Sequence, residues 1–285
     1  MRADRAERDG ISSPEVDAIL ELALAEDVGR GDLTTEATVA PDARAVAELL
    51  QKSSGLVCGL PVAAAVFTRL DPRVSVQPTV EEGSWGERRV VARLEGPTRA
   101  ILTGERTALN LVQRLSGVAT ASRQAAELVA GTRARVIDTR KTTPGLRVLE
   151  KYAVRVGGCE NHRAGLDDGF LIKENHIRAA GGITAAVNAA QRRASLVQLV
   201  EVEVTNLAEL EEALAAGAQV VLLDNFSVDG LREAVERAAG RVRLEASGGI
   251  TSANLTEVAR TGVDYISLGA LTHSAGVIDF SLEVR

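Results

Sequence analysis

Aromatic residues are nearly missing from this chain: one Trp, two Tyr and four Phe occur in 285 residues. Its core must therefore be built from Ala, Val, Leu and Ile, which favours regular α/β layers over an aromatic-rich β-sandwich. Cysteine is as scarce. Cys58 and Cys159 are too few and too far apart for a disulfide framework or a zinc site. Positive charge is not in excess, and the net charge of −6 argues against a nucleic-acid or anionic-membrane surface. Any anionic ligand would need a local cluster of Arg and Lys. No apolar run reaches membrane-spanning length, and Met1 to Gly10 is charged rather than apolar. What remains is a cytoplasmic α/β protein, long enough for one large or two modest domains.

The pattern predicts disorder over residues 1–12. Ser13-Pro14-Glu15 is a helix start, with a cap residue, a first-turn proline and an early acid. Val16, Ile19, Leu20, Ala23 and Leu24 form its apolar stripe, and Gly29 ends it. Gly29 to Thr35 reads as a polar loop. From Ala43 to Leu102 the texture is strand-like and broken by turns, with a helix at 61–70, so the first domain (13–115) is mixed α+β. Glu105 to Ala130 reads as a long helix bent at Gly117.

After Gly131 strands and helices alternate strictly. Strands are expected at 135–138, 169–173, 197–204, 219–224, 242–246 and 264–268. Helices are expected at 145–156, 183–194, 206–216, 228–239 and 252–261. Alternating βα units give a parallel sheet. A full eight-fold barrel needs roughly 250 residues and only about 140 are available, so we expect an open barrel of about six strands over 116–274. An open doubly wound sheet has the same alternation, but no Gly-x-Gly-x-x-Gly follows the first strand. The tail, 275–285, is apolar enough to pack back on the first domain.

Ligand sites in such sheets lie at the carboxyl ends of the strands. Those ends carry Asp138, Thr139, Arg140 and Lys141; Lys173, Glu174, Asn175 and His176; Glu201 and Glu203; Asp224 and Asn225; and Glu245 before Ser247-Gly248-Gly249. Leu268, Gly269 and Ala270 follow the last strand, with His273 beyond. Arg140, Lys141, Arg163 and Lys173 make a cationic group beside His162. Guanidinium forks suit carboxylates, and lysines suit phosphates as point charges. Ser247 to Thr251 follows a strand and is expected to open a helix, so its amides could cradle phosphate, with Leu268 to Ala270 as partner. The similar Gly181-Gly182-Ile183-Thr184 string reads as a simple turn into a helix. Glu203 and Asp224 face the cations as salt-bridge partners, or as ligands of Mg²⁺ or of ribose hydroxyls. The ligand pattern is a phosphorylated sugar plus a small carboxylated anion, with Mg²⁺.

The strings "EDVGRGDLTTEATV", "DTRKTTPGLRVLEKYAVRVGG", "NHRAGLDDGFLIKENHI", "EVEV", "LLDNF", "SGGIT" and "GVDYISLGALTHS" resemble the quinolinate phosphoribosyltransferase family from about Leu22 to His273. Cys159 departs from the family's more usual glycine. The resemblance implies an N-terminal sandwich domain and an open α/β barrel in a homodimer, each sandwich covering the partner's barrel. It also implies transfer of phosphoribosyl from phosphoribosyl pyrophosphate to quinolinate, with loss of CO₂ and with Mg²⁺. Carried onto this sequence, Arg140, His162 and Arg163 would hold the quinolinate carboxylates, with Arg106 from the partner subunit. Lys141 and Lys173 would lie between carboxylates and phosphates. Glu203 and Asp224 would meet ribose hydroxyls and Mg²⁺, and Ser247, Gly248, Gly249, Leu268, Gly269 and Ala270 would take phosphate.

Three rival readings use the same rim, one of them a non-catalytic binding or regulatory protein on a retired enzyme scaffold, which should have lost some of the charged set. Lys173 on its strand could act as the nucleophile of a Schiff-base aldolase. A phosphoribosyltransferase for another small aromatic carboxylate would need the same charges.

Overall fold

Ser13 caps the first helix as its sequence requires: its side chain accepts the Val16 amide at 3.3 Å. The helix, α1 (Pro14–Val28), stops at Gly29, whose φ of 53° few other residues adopt. In this computed structural model the described residues are 13–285, so the expectation for 1–12 lies outside them.

The described residues form two compact units, one comprising residues 13–123 with Thr142–Gly158 and Leu271–Arg285, the other Gln124–Lys141 and Cys159–Ala270. The sequence reading has two passages between domains, near residues 115 and 274; the chain passes between its two units after residues 123, 141, 158 and 270.

In the first unit, α1 is followed by α2 (Leu33–Thr38), where the sequence suggested a loop. Asp32 explains the difference. Its carboxylate caps the helix through the Thr35 amide at 3.0 Å and also accepts the Thr103 hydroxyl at 3.0 Å. Strands β1 (Arg44–Gln51), β3 (Ser75–Pro78), β5 (Arg89–Pro97) and β12 (Phe280–Val284) form an antiparallel sheet in the order β12-β1-β5-β3. The C-terminal strand thus pairs with β1, Leu282 opposite Leu49. A two-stranded ribbon joins β2 (Gly55–Leu56) to β4 (Trp85–Gly86), and α3 spans Leu60–Leu70.

The long helix α4 runs unbroken from Thr98 to Leu128, starting seven residues before the expected Glu105 because Ala100 and Ile101 are already core residues. Gly117 is not a break in it. A side chain there would run into the Gly276 carbonyl, so the glycine permits close passage of the tail. A buried ion pair, Arg114 Nη2 to Glu150 Oε1 at 2.7 Å, joins α4 to α5 (Arg147–Gly157). The same carboxylate accepts the Thr143 hydroxyl at 2.7 Å and amide at 3.0 Å, and Arg114 also donates to the carbonyls of Thr272 and Ala275.

The second unit is the alternating one. Strands β6 (Arg135–Ile137), β7 (Phe170–Ile172), β8 (Val200–Val204), β9 (Val220–Asp224), β10 (Arg243–Ser247) and β11 (Tyr265–Ser267) form one sheet, order β6-β11-β10-β9-β8-β7. Every pairing in it is parallel. The barrel is open: β6 and β7 do not pair, and Glu160 makes only an isolated parallel bridge to Ile137. Along β8, Val200, Val202 and Val204 are buried on one face while Glu201 and Glu203 share the other. The helices are α6 (Glu174–Ala180), α7 (Ile183–Gln191), α8 (Leu207–Ala215), α9 (Val228–Ala238) and α10 (Leu255–Ala259), with the short α11 (Ala270–His273) following β11. Helix α6 was not expected. At its start His176 accepts the Lys173 backbone amide on Nδ1 at 2.9 Å. Strand β8 begins at Val200 rather than at 197, and Leu196 and Val197 are fully exposed.

Candidate active site at the strand ends

Asp138, just past β6, is wholly buried. Its carboxylate accepts Asn161 Nδ2 at 2.6 Å and the His162 amide at 2.8 Å. That latch brings the Asn161-His162-Arg163 segment against the strand that leads into Thr139, Arg140 and Lys141. Thr139 Oγ1 accepts the Lys141 amide at 3.0 Å, fixing the turn. Arg163 donates from Nη1 to the Gly169 carbonyl at 3.0 Å, while its Nε is buried with no hydrogen-bond partner. Burial, and after it the Arg140 guanidinium, hold Arg163 below the usual arginine range, against the opposing pull of Glu201 and Asp168. Two guanidinium groups therefore share one partly desolvated region.

Both ring nitrogens of His162 are taken by the chain. Nδ1 accepts the Arg163 amide at 2.7 Å, and Nε2 lies 3.0 Å from Glu201 Oε2 and 3.6 Å from Glu245 Oε2. Glu201 and Glu245 are buried. Burial first, then the Glu201 carboxylate, push Glu245 well above the usual carboxylate range. Lys173, at the end of β7, sets its Nζ 3.3 Å from Glu203 Oε2 and is half exposed. A cavity of about 320 Å³ reaches His162, Arg163, Glu201 and Glu245, with Phe170, Val220, Arg243 and Tyr265, the first residues of their strands, along its wall.

The Ser247-Gly248-Gly249 turn departs from its expected form. Helix α10 begins only at Leu255, so these amides do not sit on a helix N-terminus. They lie in a loop with φ of 88° at Gly248 and 62° at Gly249. A side chain at Gly248 would strike the Asn225 carboxamide, and Asn225 itself sits at φ 56°. Asn225 donates its amide to the Ser247 carbonyl at 2.9 Å, so the ends of β9 and β10 are laced together. Asn225, Phe226, Ser227, Gly248 and Gly249 line a hollow of about 290 Å³ there. Asp224 accepts Asn225 Nδ2 at 2.9 Å. Leu268 is held by the Ile137 carbonyl at 2.9 Å, and Gly269 and Ala270 follow it.

Known proteins resemble this chain in sequence and in fold. The quinolinate phosphoribosyl transferase C-terminal domain matches residues 118–283, and the N-terminal domain of the same family matches residues 32–116. The chain belongs to the quinolinate phosphoribosyltransferase family. It is 45% identical to a "Probable nicotinate-nucleotide pyrophosphorylase [carboxylating]" of Synechocystis, over 94% of this chain and 92% of that one. It is 37% identical to the tobacco (Nicotiana tabacum) quinolinate phosphoribosyltransferase [decarboxylating] 1b, over 95% and 82%. The crystal structure of nicotinate-nucleotide pyrophosphorylase from Francisella tularensis superposes with a TM-score of 0.90 at 42% identity, covering 97% of this chain and 99% of that one.

Set against the residues that quinolinate phosphoribosyltransferase strings select in this sequence, the barrel unit brings Arg140, His162 and Arg163 near one another and pairs Lys173 with Glu203. Arg106 lies elsewhere, in the third turn of α4 rather than at its start. It is exposed and makes no hydrogen bond or ion pair among the described residues. Among the described residues His273 is bonded only to its neighbour Ser274. The sequence reading passed over Asn161, Arg114 and Glu150, and it named Glu201 without giving it a role. For Glu201 the signal was available in its spacing of two from Glu203. For Arg114 and Glu150 there was none, because each looks like a polar residue on an amphipathic helix.

Proposed function

We propose that the protein transfers the phosphoribosyl group of phosphoribosyl pyrophosphate to quinolinate, giving nicotinate mononucleotide, pyrophosphate and CO₂ in NAD biosynthesis. The observation that carries this reading is the pair Arg140 and Arg163. Like charges that disfavour one another in a partly buried region are stabilised together by an anion, and a pyridine with two adjacent carboxylates can engage both forks. His162 belongs to the same wall. Phosphate falls to the Ser247-Gly248-Gly249 loop and to Leu268-Gly269-Ala270, with Thr139, Lys141 and Lys173 between the two ends of the site.

In the reaction the bond from ribose C1 to the pyrophosphate oxygen breaks, and the pyridine nitrogen bonds to C1. Glu203, on the inner face of β8, stabilises the positive charge that builds on the ribosyl carbon. Lys141 and Lys173 neutralise the departing pyrophosphate. The quaternised ring then accepts the electron pair of the adjacent carbon–carboxylate bond, CO₂ leaves, and a proton takes its place. Glu203 and Asp224 supply hard oxygen ligands suited to Mg²⁺, and the remaining ligands would be water and phosphate oxygens, which is how that ion usually binds. When bound, Mg²⁺ contributes charge neutralisation at the diphosphate.

Arg106, exposed and without a partner among the described residues, supports a homodimer in which it reaches the partner's barrel and completes the quinolinate site. A cytoplasmic location is part of the same proposal; among the described residues no helix is long and apolar enough to cross a membrane. The aldolase alternative has less support, since imine-forming lysines are activated in apolar pockets or beside other cations, and Lys173 is half exposed and paired with the Glu203 carboxylate.

The test is a substrate screen with purified protein. Quinolinate should be consumed only when phosphoribosyl pyrophosphate and Mg²⁺ are both present, and nicotinate should be a very poor substrate. Efficient turnover of nicotinate would sink the carboxylating assignment.

A further inference from the structure

His162 is a residue whose obvious use, offering a ring nitrogen to a substrate carboxylate, conflicts with its surroundings. A nitrogen that accepts an amide hydrogen bears a lone pair. Because Nδ1 accepts the Arg163 N–H at 2.7 Å, the ring proton must sit on Nε2. Nε2 then donates to Glu201 Oε2 at 3.0 Å, and the backbone amide of His162 is held by Asp138 at 2.8 Å. His162, Glu201 and Glu245 gather their ligand atoms within 4.8 Å of one another, which would suit a metal ion. A metal on Nε2, however, would require lone pairs on both ring nitrogens at once, the state of an imidazolate. A neutral, doubly anchored ring is the simpler chemistry.

We infer that Glu201 is a positioning residue. Held by Glu201, the Nε2–H tautomer of His162 fixes the Arg163 amide and so aims the Arg163 guanidinium at the substrate carboxylate. This inference rests on the proposal that Arg163 binds quinolinate. Arg163 needs such a brace, because its guanidinium has one fixed partner, the Gly169 carbonyl, and its buried Nε has none. Glu201 is suited to the task by its place on β8, where it is 6% exposed and cannot swing into water. His162 then acts through Arg163 and not on the ligand.

Two measurements test this. Nitrogen-15 spectra of the wild-type protein, which has three histidines, with His162 assigned through His162→Gln, should show Nε2 protonated and Nδ1 not. An imidazolium or an Nδ1–H ring would overturn the inference. Kinetically, Glu201→Ala should raise the KM for quinolinate about tenfold, the usual effect of losing one charge-assisted hydrogen bond, and leave the KM for phosphoribosyl pyrophosphate in place. Glu201→Gln, which keeps an acceptor oxygen, should recover most of the loss. Equal rises for both substrates, or a fall in kcat alone, would make Glu201 a scaffold residue and overturn the inference. If Glu201→Ala does not fold, Glu201→Asp takes its place, with a smaller rise confined to quinolinate. Failure of the functional reading looks different: wild-type protein would not turn over quinolinate at all, while the tautomer measurement would still stand.

Discussion

Asn161 Nδ2 donates to the wholly buried carboxylate of Asp138 at 2.6 Å. The two residues come from different conspicuous strings, one ending β6 and the other preceding β7. Their bond places the Arg140 and His162-Arg163 segments together.

Asp138→Asn tests that latch. The carboxylate accepts from two donors, and an asparagine can accept with one atom only, so its amide must oppose either Asn161 or the His162 N–H. Leaving one buried donor unmet should lower stability by about 1–3 kcal/mol, read from the denaturant midpoint. The KM for quinolinate should rise with it. A variant as stable as wild type would show that the latch is not required.

Arg140→Lys tests the carboxylate fork. Lysine keeps the charge and loses the two parallel donors, so quinolinate binding should weaken by about 1.5–3 kcal/mol. Calorimetric titration of each substrate is the check, and phosphoribosyl pyrophosphate should bind as before. Equal weakening of both would place Arg140 in general scaffolding.

Glu245→Gln tests the buried acid. The folded protein holds Glu245 protonated to higher pH than the unfolded chain does, where its value is near 4.5. Unfolding above that pH therefore releases a proton, and wild-type stability falls as pH rises toward the folded value, with a limiting slope of about 1.4 kcal/mol per pH unit. Glutamine mimics the protonated acid and removes this dependence. Melting curves from pH 5 to 9 should show the variant gaining on wild type as pH increases. Parallel curves would mean that Glu245 is ionised in the fold.

Arg106→Ala and Lys141→Ala test the proposal that two subunits share each site. Each homodimer should be nearly inactive. In mixed dimers one of the two sites has both residues intact and the other has neither. With random pairing about a quarter of wild-type activity should return, since half the dimers are mixed and each has one good site. Mass spectrometry would establish that subunits exchange. No recovery after proven exchange would show that Arg106 acts within its own chain or not at all.

Local features of this fold were legible because they are set by chain geometry over a few residues. The Ser13 cap, the Gly29 stop and the six parallel strands follow from capping chemistry and from apolar spacing. So does the pairing of Glu201 and Glu203 on one face of β8. The strand-end rule then pointed to the rim, and the motif strings named most of the candidate residues. Missed elements were short ones with a side chain bonded to the backbone at the start: Asp32 for α2 and His176 for α6.

Only the tertiary structure decided the partners. Asp138 meets Asn161 across 23 positions, Arg114 meets Glu150 across 36, and His162 meets Glu201 across 39. A charge in a sequence carries no mark of which distant group will neutralise it. That depends on sheet register and on which helix packs where. The sequence alone determined that acids, arginines and a histidine crowd the strand ends. Burial and strand order determined that His162 spends both its nitrogens on the chain and that the Arg140 guanidinium comes near that of Arg163.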